Sequence, residues 1–313
     1  MRGGARRPLL AAVQQPLGEE EGVGEWIPTA PVQLVVTDLD GTLLCRNHSV
    51  GAATEAAIQA TLARDIPFVV ATGKSRAGAV NSVGAALGAQ LITGPGSTGG
   101  VFLQGLLTYG PGGELLRELS LSASLVERTL GFAAGLPSVT VIAYQRDDLL
   151  CEVEDKYTLA LAGYKEPRPR PVGDLRKALL SDGATVTSKL LLYSSVEEIN
   201  RIRPLLEAEL AGEGEETYEL TQALPEMLEV LPAGGNKGAG VLHLLEHLGV
   251  APEAVMGMGD GENDIEMLQQ VGTGVAMANA RSKLKAVATH VMGLTNEDGG
   301  AAAALRSLAV PES

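Results

Sequence analysis

Two carboxylates stand two residues apart in Asp38-Leu39-Asp40-Gly41-Thr42-Leu43, where the apolar run 33–38 (QLVVTD) ends. One carboxylate can attack phosphorus while the other moves protons. Gly41 lets the backbone turn sharply, and Thr42 can cap the segment after it. An ordinary acidic turn competes with this reading, but a string of this composition is too specific for one. Two other strings invite chemistry and fit it poorly. Residues 94–99 match G-x-G-x-x-G, with Glu114 or Glu118 about 20 positions on. A dinucleotide site needs a helix to open there, and GVFLQGLLTYG reads as strand. His243-Leu244-Leu245-Glu246-His247 matches the zinc-peptidase pattern H-x-x-E-H. A core-packing helix with polar outer positions explains that string more simply than zinc does.

The elements that must position the two acids follow from periodicity. The run 33–38 and Pro67–Ala71 are short and Val-rich, as buried strands are, and Gln90–Thr93 is expected as a third. Helical spacing over 51–64 and 75–87 separates them, which implies a parallel sheet with right-handed crossovers. In such a sheet ligands bind beyond the carboxyl ends of the strands, where Asp38 stands. Residues 101–109 and 114–119 flank a Gly/Pro turn and predict a β-hairpin. Strand–helix alternation returns from Glu226, with MLEVL as a strand, a helix over 237–248, a strand ending at Asp260, a helix over 262–269 and a strand at 274–278. Helices near 281–286 and 297–309 complete the chain. The expected fold is α/β, a doubly wound, Rossmann-like parallel-sheet core over 32–121 and 224–313. An α+β insert over 122–223 interrupts it, and 1–31 is expected as tail and linker. The Pro-rich stretch 164–173 reads as a surface polyproline loop.

Composition narrows the function. The chain has 313 residues, 45% hydrophobic and only 3% aromatic, so Ala, Val, Leu and Ile must build the core. A net charge of −14 repels polyanions, and nucleic acid is not an expected partner. Phosphate substrates remain open, because one metal ion and one Lys can reverse the field inside a pocket. Cys45 and Cys151 are too few for a disulfide framework and fit a reducing compartment. No apolar run approaches the ~18 residues of a membrane span. The start is Arg-rich, with no acid before Glu19. It reads as a weak transit peptide or a disordered tail, consistent with chloroplast or cytoplasm.

With Asp38–Thr42 as DxDGT, the sequence resembles the haloacid dehalogenase-like hydrolases. Three further motifs of that family occur in order: Thr72-Gly73-Lys74 at the end of the second strand, Asn236-Lys237-Gly238 opening a helix, and Gly259-Asp260-Gly261-Glu262-Asn263-Asp264 as the acidic cluster GDxxND. The resemblance spans roughly 32–310. An insert between the second and third motifs is similar to the Cof-type branch with its type IIB cap. ATGKSRAGA and GVFLQGLLTYG resemble plant and algal members.

The resemblance implies a Mg²⁺-dependent phosphatase. Asp38 is its nucleophile, Asp40 its acid and base, and Thr72 and Lys237 steady the transferring group. Asp38, the Asp40 carbonyl and Asp260 would hold the metal, with Asp264 on a water or behind it. Lys237 is also expected to bridge Asp38 and Asp260. Thr42, Thr72, Gly73, Lys74, Gln104, Lys237 and Asn263 would meet substrate. Gln104-Gly105-Leu106 stands where relatives carry Asn-Gly-Ala, which leaves the substrate open. Sugar phosphates and similar small phosphorylated metabolites are the expected class, with Lys165 and Glu166 as candidates to grip the leaving group. A phosphosugar mutase and a silent metabolite-binding module are the alternatives. Oligomeric state is not legible.

Overall fold

The structure, a computed structural model, describes residues 31–181, 186–211 and 217–308. Apart from Pro31, the expected tail and its targeting question lie outside the described residues. The first strands of the larger sheet are β1 (Leu34–Thr37), β2 (Phe68–Ala71), β3 (Gly100–Phe102), β4 (Leu107–Tyr109) and β5 (Leu115–Glu118). The insert contributes β6 (Thr140–Gln145), β7 (Asp148–Cys151), β8 (Arg170–Pro171), β9 (Lys189–Tyr193), β10 (Tyr218–Leu224) and β11 (Met227–Pro232). The chain then returns to the larger sheet with β12 (Val255–Gly259), β13 (Thr273–Ala276) and β14 (His290–Val291).

The larger sheet runs β14-β13-β12-β1-β2-β3-β4-β5, and its pairs from β14 through β3 are parallel. LVVT in β1 and FVVA in β2 are buried throughout, because helices cover both faces. Leu34 and Val36 pack with Val69, Val241 and Leu244 on one side. Val35 packs with Phe68, Ile58 and Leu305 on the other. From β1 the chain builds outward through β2 and β3, and later from β12 on β1's other flank. The crevice between the ends of β1 and β12 is therefore the switch point at which doubly wound sheets bind ligands.

Two expectations for this sheet change. Residues 90–93 are not a strand. Ala89–Thr93 forms a π-helical turn closed by Gly94 N–H donating to Ala89 O at 2.7 Å, and Gly100–Phe102 is the third parallel strand. A short apolar pair such as Leu91-Ile92 satisfies either geometry, and the helical run Ala85–Gly88 carries on into it. Nor is 101–109 one strand. It folds back at Leu103–Gly105, so that β3 pairs antiparallel with β4, and β4 with β5 across the Gly/Pro turn.

The smaller sheet runs β10-β11-β9-β6-β7-β8. Helices Ala123–Ala134, Leu175–Leu180 and Val196–Leu210 cover one face, burying Leu190, Leu192, Leu228 and Val230 with Leu125, Ile199 and Leu206. On the opposite face Tyr144, Leu191 and Met227 join the apolar cluster of the larger sheet. MLEVL therefore pairs in the smaller sheet, with β9 and β10, rather than in the core sheet expected from Glu226 onward. Its pattern is that of a buried strand in either sheet, and only the partners decide.

Candidate active site

Asp38 follows β1, and its N–H donates to Met258 O of β12 at 2.9 Å, so the backbone ladder places it at the switch point. The chain then turns at Gly41, which has φ +77°. A Cβ there would stand 2.3 Å from Asp260 Oδ2, so only glycine admits both the turn and the approach. Thr42 is buried and donates to Asp260 Oδ1 at 3.0 Å, so its hydroxyl is committed to the acidic loop rather than open to a substrate.

Lys237 opens helix Lys237–Leu248, whose N-cap Asn236 accepts from Ala239 N–H. Its fully buried Nζ lies 2.7 Å from Asp38 Oδ1 and 2.7 Å from Asp264 Oδ1. The bridge therefore joins Asp38 to Asp264, not to Asp260 as expected. Asp264 is completely buried, and its Oδ2 accepts from the N–H groups of Asp260 and Gly261 at 3.0 and 2.9 Å. Asp264 thereby pins the loop that presents Asp260. Asn279 adds a brace, donating to Gly41 O at 2.8 Å.

Asp38, Asp260 and Asp264 each offer an oxygen within 4.8 Å of the others. Three carboxylates against one ammonium leave two negative charges uncompensated in a buried site. Burial holds the Asp38 carboxyl well above the carboxylate range. Lys237 opposes that shift, and Asp264 and Asp260 add to it. Burial likewise pushes Asp260 up to about 6, against the Thr42 hydrogen bond. For Lys237, burial disfavours the charge, but Asp264 and Asp38 overcome it and raise the ammonium's pKa. A bound cation would offset both upward shifts. The site's donors are hard oxygens, which suit a divalent ion of the magnesium and calcium class.

Asp40 sits at the mouth, with Lys74 Nζ 3.1 Å from Oδ2 and His48 Nδ1 3.0 Å from Oδ1. Lys74, expected on substrate, is thus paired with Asp40, and it also donates to Tyr164 O at 2.8 Å. Thr72 is buried, and its hydroxyl accepts from Lys74 N–H. Gly73 packs against Gln104, whose Nε2 would lie 2.7 Å from a Cβ there. Leu103 and Gln104 hold left-handed conformations at φ +50° and +60°, an expense kept up at functional positions. The turn aims Gln104 Oε1 at Asn263 Nδ2, 3.0 Å away. A cleft of about 390 Å³ gathers Asp38, Asp40, Thr72 and Asp260 beneath Tyr144, Lys189 and Glu229 of the smaller sheet.

Glu166 lines this cleft, but its carboxylate is committed to Ser75, accepting from both N–H and Oγ–H. The Pro-rich stretch is therefore anchored at Glu166 and exposed at Arg168, Arg170 and Pro171. Lys165 instead offers its carbonyl to Asn81. His48 and Asn279 carry no motif and emerge only from the fold. Glu229 did leave a signal, as a single charge inside an apolar strand, and Lys189 a weaker one, as the charge that heads another. The H-x-x-E-H pair faces outward, with His243 on Leu116 O and His247 3.9 Å from Glu114.

Residues 35–305 match the haloacid dehalogenase-like hydrolases as a family. The chain belongs to that family. The Arabidopsis thaliana protein named Endoribonuclease YBEY, chloroplastic, is 33% identical over 289 residues, 91% of this chain. The chain spans about half of that relative, 48% of its length. An Escherichia coli HMP-PP phosphatase is 30% identical over 260 residues, covering 83% of this chain and 89% of that protein. Among solved structures, a haloacid dehalogenase-like hydrolase from Bacteroides thetaiotaomicron superposes at TM-score 0.77 with 24% identity, over 88% of this chain and 98% of that one. A HAD/COF-like hydrolase from Plasmodium vivax does so at 0.76 with 22% identity, over 90% and 96%. These haloacid dehalogenase-like neighbours share the fold, with its interrupted core. Among the described residues no helix is long and apolar enough to cross a membrane.

Proposed function

We propose that the protein is a Mg²⁺-dependent phosphatase of small phosphorylated metabolites, with Asp38 as nucleophile. The observation that carries this reading is the buried bridge Asp38–Lys237–Asp264 beside Asp260, at the switch point of a parallel sheet. Lys237 holds Asp38 Oδ1, which leaves Oδ2 to attack phosphorus. As the phosphorus–oxygen bond to the leaving group breaks, the departing oxygen takes a proton from Asp40. Asp40 then removes a proton from water, whose oxygen attacks the aspartyl-phosphate and frees the Asp38 carboxylate and phosphate. Thr72 and Lys237 face charge that builds on the transferring oxygens.

Asp38 and Asp260 would hold Mg²⁺, with Asp264 behind them because it is completely buried and bound to Lys237 and two backbone N–H groups. When bound, the ion supplies neutralisation of the phosphoryl charge. RNA is not the substrate on this reading. The net charge is −14, and the endoribonuclease name belongs to a protein of which the chain spans 48%. The compartment in that name, the chloroplast, belongs to the same reading, and uptake of the full chain by isolated chloroplasts is its check.

Hydrolysis of p-nitrophenyl phosphate tests the reaction. Turnover should require Mg²⁺ and vanish with EDTA. Asp260, at about 6 without metal, binds a proton in competition with the ion. The Mg²⁺ concentration for half-maximal rate should therefore rise as pH falls through about 6, and protonation of the raised Asp38 carboxyl adds to that rise. Turnover indifferent to EDTA would remove the metal from the account.

A further inference from the structure

We propose that Glu166, a residue of the insert, is a positioning residue for the reaction: through Ser75 it holds Lys74 against Asp40, the group that moves protons. This rests on the phosphatase reading and adds to its machinery a side chain that acts without touching substrate.

Glu166 reaches from the insert to the turn after β2. Its Oε1 accepts from Ser75 N–H at 3.0 Å, and its Oε2 from Ser75 Oγ–H at 2.5 Å. Ser75 is fully buried and caps helix Arg76–Val83, its Oγ accepting from Gly78 N–H at 2.9 Å. A Cβ on Gly78 would lie 2.7 Å from Glu166 Oε1, so the glycine makes room for the carboxylate. Lys74 directly precedes Ser75. Its N–H donates to Thr72 Oγ1 at 3.2 Å, and its carbonyl accepts from Leu103 N–H at 3.0 Å. Its Nζ lies 3.1 Å from Asp40 Oδ2 and donates to the carbonyl of Tyr164, in the same segment as Glu166, at 2.8 Å. The segment 164–166 thus holds Lys74 at both ends, the backbone through Ser75 and the ammonium through Tyr164 O.

Stability alone is a poor reason for Glu166. The residue is only 9% exposed, and no Lys or Arg among the described residues ion-pairs with it. Hydrogen bonds and the positive end of the helix meet its charge. Burying a carboxylate without a counter-ion is costly. Other ion pairs already tie the insert to the core: Arg146 with Glu118 at 2.7 Å, and Arg76 with Asp147. What Glu166 adds is the placement of Lys74. The Asp40 side chain is 42% exposed, so packing leaves its rotamer free, and Lys74 and His48 fix it. Lys74 is 8% exposed against 34% for His48, which makes it the more rigid of the two partners. Displacing a positioned group by about 1 Å can slow a reaction on the order of a hundredfold.

Steady-state kinetics on p-nitrophenyl phosphate with Mg²⁺ test this, with thermal melting alongside. The variants are Glu166→Ala, Glu166→Gln, Lys74→Met, the double variant Glu166→Ala/Lys74→Met, and Glu118→Gln, which loosens a different tie between insert and core. Glu166→Ala should lower kcat on the order of tenfold to a hundredfold and leave KM little changed. Glu166→Gln should recover most of that loss, since its amide oxygen can accept from Ser75 N–H while its NH₂ donates to the hydroxyl. Lys74→Met should lose at least as much as Glu166→Ala. In the double variant the second substitution should cost little more, because both act on Asp40 through one contact. Glu118→Gln should keep the wild-type kcat. If Glu166→Ala fails to fold, Ser75→Ala cuts one of the two hydrogen bonds and carries the same comparison, alone and with Lys74→Met. A Glu166→Ala enzyme that melts lower but keeps its kcat overturns the proposal. So do penalties that multiply in the double variant, or a Glu118→Gln enzyme slowed as much as Glu166→Ala. A wild type inert towards p-nitrophenyl phosphate with Mg²⁺ sinks the phosphatase reading itself.

Discussion

Asp38→Asn should reduce turnover on the order of 10⁴-fold or more, the scale on which removing a nucleophile acts, while the protein stays folded. The amide keeps nearly the shape of the carboxylate, and its oxygen can still accept from Lys237. It cannot form the acyl-phosphate. The stability consequence has a definite sign. The folded Asp38 carboxyl is raised above its ordinary value by burial and by Asp264 and Asp260, with Lys237 opposing. A raised pKa in the folded state means that stability is greatest below the unfolded value and declines as pH climbs through the folded one. At neutral pH without metal, ionised Asp38 is therefore a burden, and Asp38→Asn should melt no lower than the wild type. A variant that is inactive and also markedly less stable would point to a structural role. Chemical denaturation beside steady-state kinetics separates the two.

Lys237→Met should be the costliest substitution for the fold. The methionine fills similar volume, but Asp38 and Asp264 lose the cation that lies 2.7 Å from each. Breaking a buried pair by removing one partner costs about 3–5 kcal/mol, because a charge is left uncompensated. The folded pKa of Lys237 is raised, so its contribution is complete at neutral pH and fades only as alkali reaches that pKa. The deficit in the variant should therefore be full at pH 7. It should narrow in acid, where Asp38 takes up a proton and sheds its charge. Urea unfolding at a series of pH values measures this, and a deficit that grew in acid would contradict the assignment. Turnover should fall as well, since Asp38 loses the contact that orients it.

The residues proposed to do the chemistry are legible because their types and their places in the fold agree. An apolar run ending in Asp38 predicts a strand edge, and the Asp at the end of β12 arrives at the neighbouring edge by the same logic. The partnership of Lys237 was harder to read. Both Asp260 and Asp264 lie within one short loop, and only the turn that folds Asp264 back beneath its own backbone decides for Asp264. Leu103 and Gln104 could not be read, since nothing about leucine or glutamine announces a left-handed backbone. The turn exists because Leu103 and Gln104 donate their N–H groups to Lys74 O and Thr72 O across the strand end. Glu229 shows the opposite case. MLEVL reads as strand, and the period of two puts Glu229 on the face opposite Leu228 and Val230. Which sheet it joined, and so that it faces the cleft, required the pairing partners.

The central claim is that Asp38 itself carries the phosphoryl group. Acid-quenching the enzyme during turnover, reducing it with borohydride and mapping its peptides by mass spectrometry tests this most directly, because reduction converts an aspartyl-phosphate to homoserine. The account predicts homoserine at position 38 alone, dependent on Mg²⁺ and substrate. Active enzyme that yields no modified residue, or one at Asp40 or Asp260 instead, would contradict it.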